Sequence, residues 1–199
     1  MLDPVGSTSW HNRHLSSFRR LNELLHAHGP AEPTVMVVGP GGVTVPASWL
    51  LNDAAAKAPR LRKLIGDAAR YSDQVLRRIP GMPLRTLEPV ELQSALTVPH
   101  RLVVMDRSQR ILAAVARQLP DAKCYCIDIS FQKLPESADV ISVFNVVCRL
   151  DDPDAGLANI VAALRPGGWL LIDDRSAAGR LDQYSDIRPV DSKIYRRAS

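Results

Sequence analysis

Long apolar runs are what this chain most clearly lacks. No stretch approaches the roughly 20 consecutive apolar residues that a membrane-crossing helix needs, so no membrane partner is expected. The opening residues, Met1-Leu2-Asp3-Pro4-Val5-Gly6, have no charged start followed by an apolar core, which excludes a signal-peptide reading. Cysteine is scarce. Cys124, Cys126 and Cys148 are the three, too few and too unevenly spaced for a disulfide framework, and a reducing, cytoplasmic setting follows. Strong charge of one sign is missing as well. A net charge of +4 permits an anionic ligand but falls short of the clustered basic face that nucleic-acid binding calls for. Internal repeats and low-complexity segments are absent.

Metal-ligand patterns are also lacking. Cys124 and Cys126 alternate along one strand, on the same face, but no nearby Cys or His completes a set, so core packing is expected for both. His11, His14, His26 and His28 fall at opposite ends of one helical segment. Solvated or ligand-facing imidazoles are the expectation there, and no metal site.

What is present is an ordinary globular composition, 46% hydrophobic and 23% charged, over 199 residues, enough for one domain with its own core. The chain is organised around Thr34-Val35-Met36-Val37-Val38 and the glycines that follow, Gly39-Pro40-Gly41-Gly42. Apolar on both faces and only a strand long, the run reads as a buried parallel strand. Glycine directly after it lets backbone N–H groups approach a ligand with no Cβ in the way. An ordinary strand-to-helix turn is the plain alternative.

Residues 1–14 read as a flexible lead-in. Leu15, Phe18, Leu21, Leu24 and Leu25 recur at helical spacing until Gly29-Pro30. Residues 44–100 read as a mainly helical insert, with an apolar stripe that includes Trp49, Leu50, Leu61, Leu64, Ile65 and Ile79. A break at Ala58-Pro59 divides it. Its basic helix, 57–78, carries Lys57, Arg60, Arg62, Lys63, Arg70, Arg77 and Arg78, either as a solvated face or as a docking surface for an acidic substrate or protein partner. Leu84–Leu87 is a short strand candidate and Glu91–Leu96 a short helix.

Alternation then becomes regular. Strands are predicted at Arg101–Asp106, Lys123–Ile129, Ala138–Asn145 and Trp169–Asp174, with helices over Ser108–Leu119 and Pro153–Leu164. This predicts an α/β fold with a doubly wound, mostly parallel sheet and right-handed crossovers. Asp186–Val190 and Lys193–Arg197 would close an abbreviated C-terminal end, with Tyr195 inward. The short sheet edge after the fifth strand would suit a second subunit, which raises a homodimer.

Polar groups fall at one edge of that sheet. Gly39, Gly41 and Gly42 follow the first strand, Asp106 ends the second, Asp128 the third and Asn145 the fourth. Carboxyl ends of parallel strands line one crevice, so a single ligand can meet all of them. An acid after the second strand suits a ribose diol, and an acid after the third suits an exocyclic amine. Together they ask for an adenosine-bearing ligand. Taken singly, each aspartate also reads as a strand-end turn residue.

The ordered set resembles the class I S-adenosylmethionine-dependent methyltransferases over roughly residues 15–175. Val35–Gly42 matches the glycine-rich motif, Leu102–Ser108 the second strand and its ribose acid, and Asp128–Pro135 the adenine segment. Phe144–Leu150 with Asp151-Asp152-Pro153 matches the fourth-strand motif, and Leu164–Ile172 the turn into the fifth. The resemblance implies a Rossmann-like methyltransferase fold and S-adenosyl-L-methionine as cofactor. It places the methionine portion at Gly39, Gly41 and Gly42, and the ribose at Asp106 with Arg107 beside it. Adenine would lie at Asp128 and the Ile129 main chain, with Asn145 near the sulfonium or its carboxylate. It implies direct methyl displacement onto a small-molecule acceptor. Alignment supplies much of such catalysis, and no catalytic base is identified.

The sequence departs from the family in Val37, where an acid is usual, in Val43, where the loop's last glycine is usual, and in the length of the insert. Those departures keep a second function open, a catalytically inactive methyltransferase-fold binding or regulatory subunit. A nicotinamide-dependent oxidoreductase is disfavoured, because Thr44 stands where its fingerprint needs a third glycine or alanine.

Overall fold

The computed structural model describes residues 14–40, 64, 88–173 and 175–199. Residues Thr34–Val38 form strand β1, and every one of its five side chains is buried. A strand of Val and Met with no polar face settles only where both faces are covered and both edges are paired. β1 meets that condition. It pairs in parallel with β2, Arg101–Asp106, on one side and with β4, Ala138–Ser142, on the other.

From this centre the sheet grows outward. β3, Lys123–Cys126, pairs in parallel with β2, and β5, Leu164–Leu171, in parallel with β4. The hairpin of β6, Ile187–Asp191, and β7, Ile194–Arg197, adds antiparallel strands beyond β5. Seven strands thus run in the order β3-β2-β1-β4-β5-β7-β6. Although the C-terminal stretch is short, it holds a helix and both closing strands, and β7 of the same chain, not a second subunit, covers the β5 edge. Tyr195 is half-buried against the core, as expected.

Helices cover both faces. On one lie α1, Leu15–His28, α2, Glu88–Ala95, and α3, Gln109–Gln118, whose apolar residues join Val35, Val37, Val104, Phe144 and Trp169. On the other lie α4, Pro153–Ala163, and α5, Arg175–Leu181, over Met36, Met105, Ile141 and Leu170. α4 starts where sequence rules place it. Asp152 caps it by accepting the Ala155 N–H at 2.9 Å, with Pro153 in the first turn. Trp169 is buried at the centre of β5, with the Arg196 guanidinium 5.2 Å from its ring centroid.

Several boundaries are corrected. β3 ends at Cys126, not Ile129, so Asp128 stands in a loop two residues past the strand. β4 ends at Ser142, leaving Asn145 in the following turn. Being an edge strand, β3 leaves Cys124 half-buried and Cys126 exposed, and Cys148 is exposed in a 3-10 turn at Val147–Arg149. Core packing therefore fails for Cys126. His14, expected in a flexible lead-in as a solvated or ligand-facing imidazole, is 1% exposed and stacks on Phe144 at 3.9 Å between centroids. Leu64 is helical but 70% exposed, against its place in an inward stripe. The other residues of the 44–87 segment, including the basic face 57–78 and the Leu84–Leu87 strand, lie outside the described residues. No helix among the described residues is long and apolar enough to cross a membrane.

α1 is part of the core. Phe18 and Leu21 are fully buried, and Phe18 lies 5.9 Å from the Phe144 ring. Phe18→Ala is expected to cost about 3–5 kcal/mol of folding stability, read as a lower denaturant midpoint with an unchanged slope. A loss below about 1 kcal/mol would show α1 to be a detachable appendage.

Candidate functional site

The parallel register carries β1, β2, β4 and β5 to one edge, where their carboxyl ends open into loops. The first of these loops begins at Gly39. Its φ is +59°, in the left-handed region, and its N–H donates to the Met105 carbonyl at 2.8 Å, tying the end of β1 to the end of β2. A Cβ at this position would sit 2.6 Å from Val146 Cγ2. Glycine is therefore required twice over, by torsion angle and by the close approach of the loop that follows β4. Gly41 and Gly42 lie outside the described residues.

Asp106 is the last residue of β2 and half-buried. Its Oδ1 accepts the Ser108 N–H at 2.7 Å and turns the chain into α3. Asp128 does the same in its own loop, Oδ1 accepting the Ser130 N–H at 3.0 Å. Both acids are thus turn residues, as the plain reading has it. That role occupies one carboxylate oxygen of each. The two loops meet. Ile127 N–H donates to the Asp106 carbonyl at 3.1 Å, and Arg107 Nη1 lies 3.9 Å from Asp128 Oδ2. With Arg107 exposed, Asp128 only partly buried and the two 3.9 Å apart, that ion pair adds little stability.

The Asp128 loop is braced rather than loose. Gln132 Oε1 accepts the Asp128 N–H at 2.9 Å, and the Gln132 N–H returns to the Asp128 carbonyl at 2.9 Å. Ile129 points into the core and its carbonyl takes the Asn159 side-chain amide at 2.9 Å. The loop presents Phe131 outward, 72% exposed.

Asn145 has a φ of +55°, the one non-glycine residue with positive φ among those described. Asparagine tolerates this conformation better than most residues, and such outliers cluster at functional sites. The observed strain is held by Asp173, just past β5, whose buried carboxylate accepts the Asn145 N–H at 3.0 Å. His14 Nδ1 lies 4.0 Å and Lys193 Nζ 3.9 Å from the other Asp173 oxygen.

The structure therefore brings Gly39, Asp106, Arg107, Asp128 and Asn145 to one edge and turns the Ile129 side chain away from it. It adds three residues that the sequence reading passed over. Asp173 is one, Phe131 the second, and Glu88 the third. Glu88 opens α2 with its side chain buried, and the Ser142 hydroxyl donates to its Oε1 at 2.8 Å. Its Oε2 is buried and meets no hydrogen-bonding partner among the described residues. Burial is the dominant cause that pushes the Glu88 carboxyl up to about 8; the Ser142 hydrogen bond pulls the other way, and the nearby carboxylates of Asp173 and Glu91 add smaller upward pushes. An Asp at the end of an apolar strand, as Asp173 is, gives a readable signal. A glutamate 54 positions from its serine partner gives none.

Residues 91–170 match a family profile described as a methyltransferase domain. The N-methyltransferase NodS of Bradyrhizobium japonicum superposes with a TM-score of 0.50 at 13% identity, over 99% of this chain and 92% of that one. The fold is that of the class I methyltransferases. A methyltransferase named str3, from Strobilurus tenacellus, is 32% identical over an alignment that covers 30% of this chain and 29% of the relative. An amino pentose methyltransferase of Micromonospora echinaspora, CalS10, superposes with a TM-score of 0.44 at 18% identity, over 83% of this chain and 51% of its own. The chain thus spans about half of the latter's length, and less than a third of str3 is aligned. Within the methyltransferase fold, the edge assembled above is where the strand order reverses between β1 and β4, the usual ligand crevice of an open α/β sheet.

Two outcomes test this edge. Gly39→Ala should lose roughly 1–2 kcal/mol to left-handed strain, plus the clash with Val146, and adding Val146→Ala should recover only the second part in a double-mutant cycle. Full recovery would mean that the torsion angle carries no cost. For Glu88 the native carboxyl keeps its proton up to about pH 8, while the unfolded one loses it near 4.5. The folded state then binds the extra proton between those values, so this group's contribution to stability falls as pH rises from about 4.5 to about 8. Glu88→Gln should remove that part of the slope, visible as a flatter melting temperature from pH 5 to pH 8 than in the unaltered protein.

Proposed function

We propose that this chain is an S-adenosyl-L-methionine-dependent methyltransferase acting on a small-molecule acceptor, built as a single domain. The observation that carries the reading is the pairing of Asp106 and Asp128 on adjacent loops at the β1–β4 crevice, each with one oxygen committed to its turn. The donor set fits the cofactor. Asp106 would accept from the ribose hydroxyls with Arg107 alongside, and Asp128 from the adenine amine beside the Ile129 main chain. The exposed Phe131 ring offers an apolar face for the base. Gly39, with Gly41 and Gly42, would let the methionine portion approach the backbone, and Asn145, fixed by Asp173, would border the reacting centre. That S-adenosylhomocysteine is bound in NodS supports the same assignment.

When bound, the cofactor supplies a sulfonium-activated methyl group open to direct displacement. The chain's part is to orient. Gly39 and Asn145 hold their loops in left-handed conformations that a flexible segment would not keep, and the buried Asp173 carboxylate fixes the second of them. Rigid alignment of this kind supplies much of the rate without a dedicated base. Cys124, Cys126 and Cys148, with no disulfide among them, fit a cytoplasmic location.

Calorimetric titration with S-adenosylhomocysteine tests the proposal. Micromolar-range binding is expected, weakened at least about tenfold by Asp106→Asn, which keeps the turn but removes the charge. No heat and no thermal shift at millimolar ligand would overturn it.

A further inference from the structure

Glu88 has no part in the assignment above, yet its position is unusual. Its partner Ser142 ends β4 and is the register partner of Val37 on β1 and of Leu171 on β5. Val37 lies two residues before Gly39. The Glu88 carboxyl therefore sits against the junction of β1 and β4, on the α1 side, close under the edge where the loops open. Fully buried glutamates are rare unless paired, and a buried acceptor left without a donor is costly. Among the described residues only one oxygen of Glu88 is satisfied, by the Ser142 hydroxyl, and Oε2 meets no donor.

The charges around it narrow what could complete it. Asp173, past the end of β5, and Glu91, one turn along α2, are both close enough to disfavour a negative Glu88. His14 Nδ1 and Lys193 Nζ lie 4.0 and 3.9 Å from Asp173 Oδ2. An acid whose buried oxygen meets no donor among the described residues, with two further carboxylates nearby, disfavours anions and rewards a cation carrying several N–H donors.

Resting on the cofactor reading, we propose that Glu88 is the receptor for the ammonium group of the cofactor's amino-acid portion, held between Oε2 and the Ser142-anchored Oε1. The carboxyl enters this contact with its proton and leaves that proton in solvent, so that a carboxylate meets the ammonium. One proton passes to the buffer for each ligand bound, and no covalent bond is made or broken.

The test is a titration of the full chain with S-adenosylhomocysteine at pH 7 in buffers of different ionisation enthalpy, which counts protons exchanged. 5′-Methylthioadenosine, which lacks the amino-acid portion, serves as control. The unaltered protein should release close to one proton with S-adenosylhomocysteine and none with methylthioadenosine. Glu88→Gln keeps the shape and the Ser142 bond. It should abolish the release and weaken S-adenosylhomocysteine roughly tenfold to a hundredfold, leaving methylthioadenosine unchanged. Equal weakening of both ligands, or an unchanged proton count in the variant, would overturn the assignment of Glu88 while leaving the cofactor reading intact. Failure of the unaltered protein to bind either ligand would overturn both.

Discussion

The pairing of β1 on both edges is the constraint from which everything else here follows. Five apolar residues with no polar face must be covered above and below, and their backbone groups must be matched on left and right. Parallel neighbours on both sides satisfy the second demand and force long crossovers that supply the helices for the first. Because the partners run the same way, their carboxyl ends arrive together. The site is a by-product of that register. Gly39, Asp106 and Asn145 are neighbours in space because Val38 pairs with Met105 and Val37 with Ser142.

A second layer of organisation is electrostatic, and it lies beneath the edge rather than on it. Asp173 is buried and holds Asn145 in a conformation that few residues accept. His14 stacks on Phe144 and approaches the same carboxylate, so the residue before α1 is pinned to the residue before Asn145. Lys193, from the β6–β7 turn, reaches Asp173 from the other side and lies 5.9 Å from the centre of the Phe144 ring. The first and last elements of the described chain thus converge on one aspartate. Burying charged groups costs desolvation, and such arrangements are more readily explained by fixing a geometry than by adding stability.

Much of this was legible from the residues in order, and what was legible shares a cause. Strands β1, β2, β4 and β5 announce themselves because a buried parallel strand is a short apolar run between breakers. The edge acids announce themselves because they stand at the ends of such runs. Asp128 reads as a strand end and stands two residues beyond one, since β3 is an edge strand whose half-exposed side chains impose no sharp boundary. The burial of His14 is not readable locally, because it depends on Phe144, 130 positions away. Glu88 was invisible for the same reason. Its environment is made by Ser142, Asp173 and Glu91, and only the last is near in sequence.

Val37 now carries a different weight. Against the family pattern it reads as a lost acid and a reason to doubt activity. In the fold its side chain is fully buried on the α1 face, and an acid on that strand would need a partner inside the core. Its register partner is Ser142, and Ser142 holds the carboxyl of Glu88. An acidic group therefore does stand beside β1 at this level, delivered from α2 instead of from β1 itself. Loss of the acid from one strand position is thus not loss of acidity from the neighbourhood, and the absence of a carboxylate at Val37 does not by itself argue for an inactive scaffold.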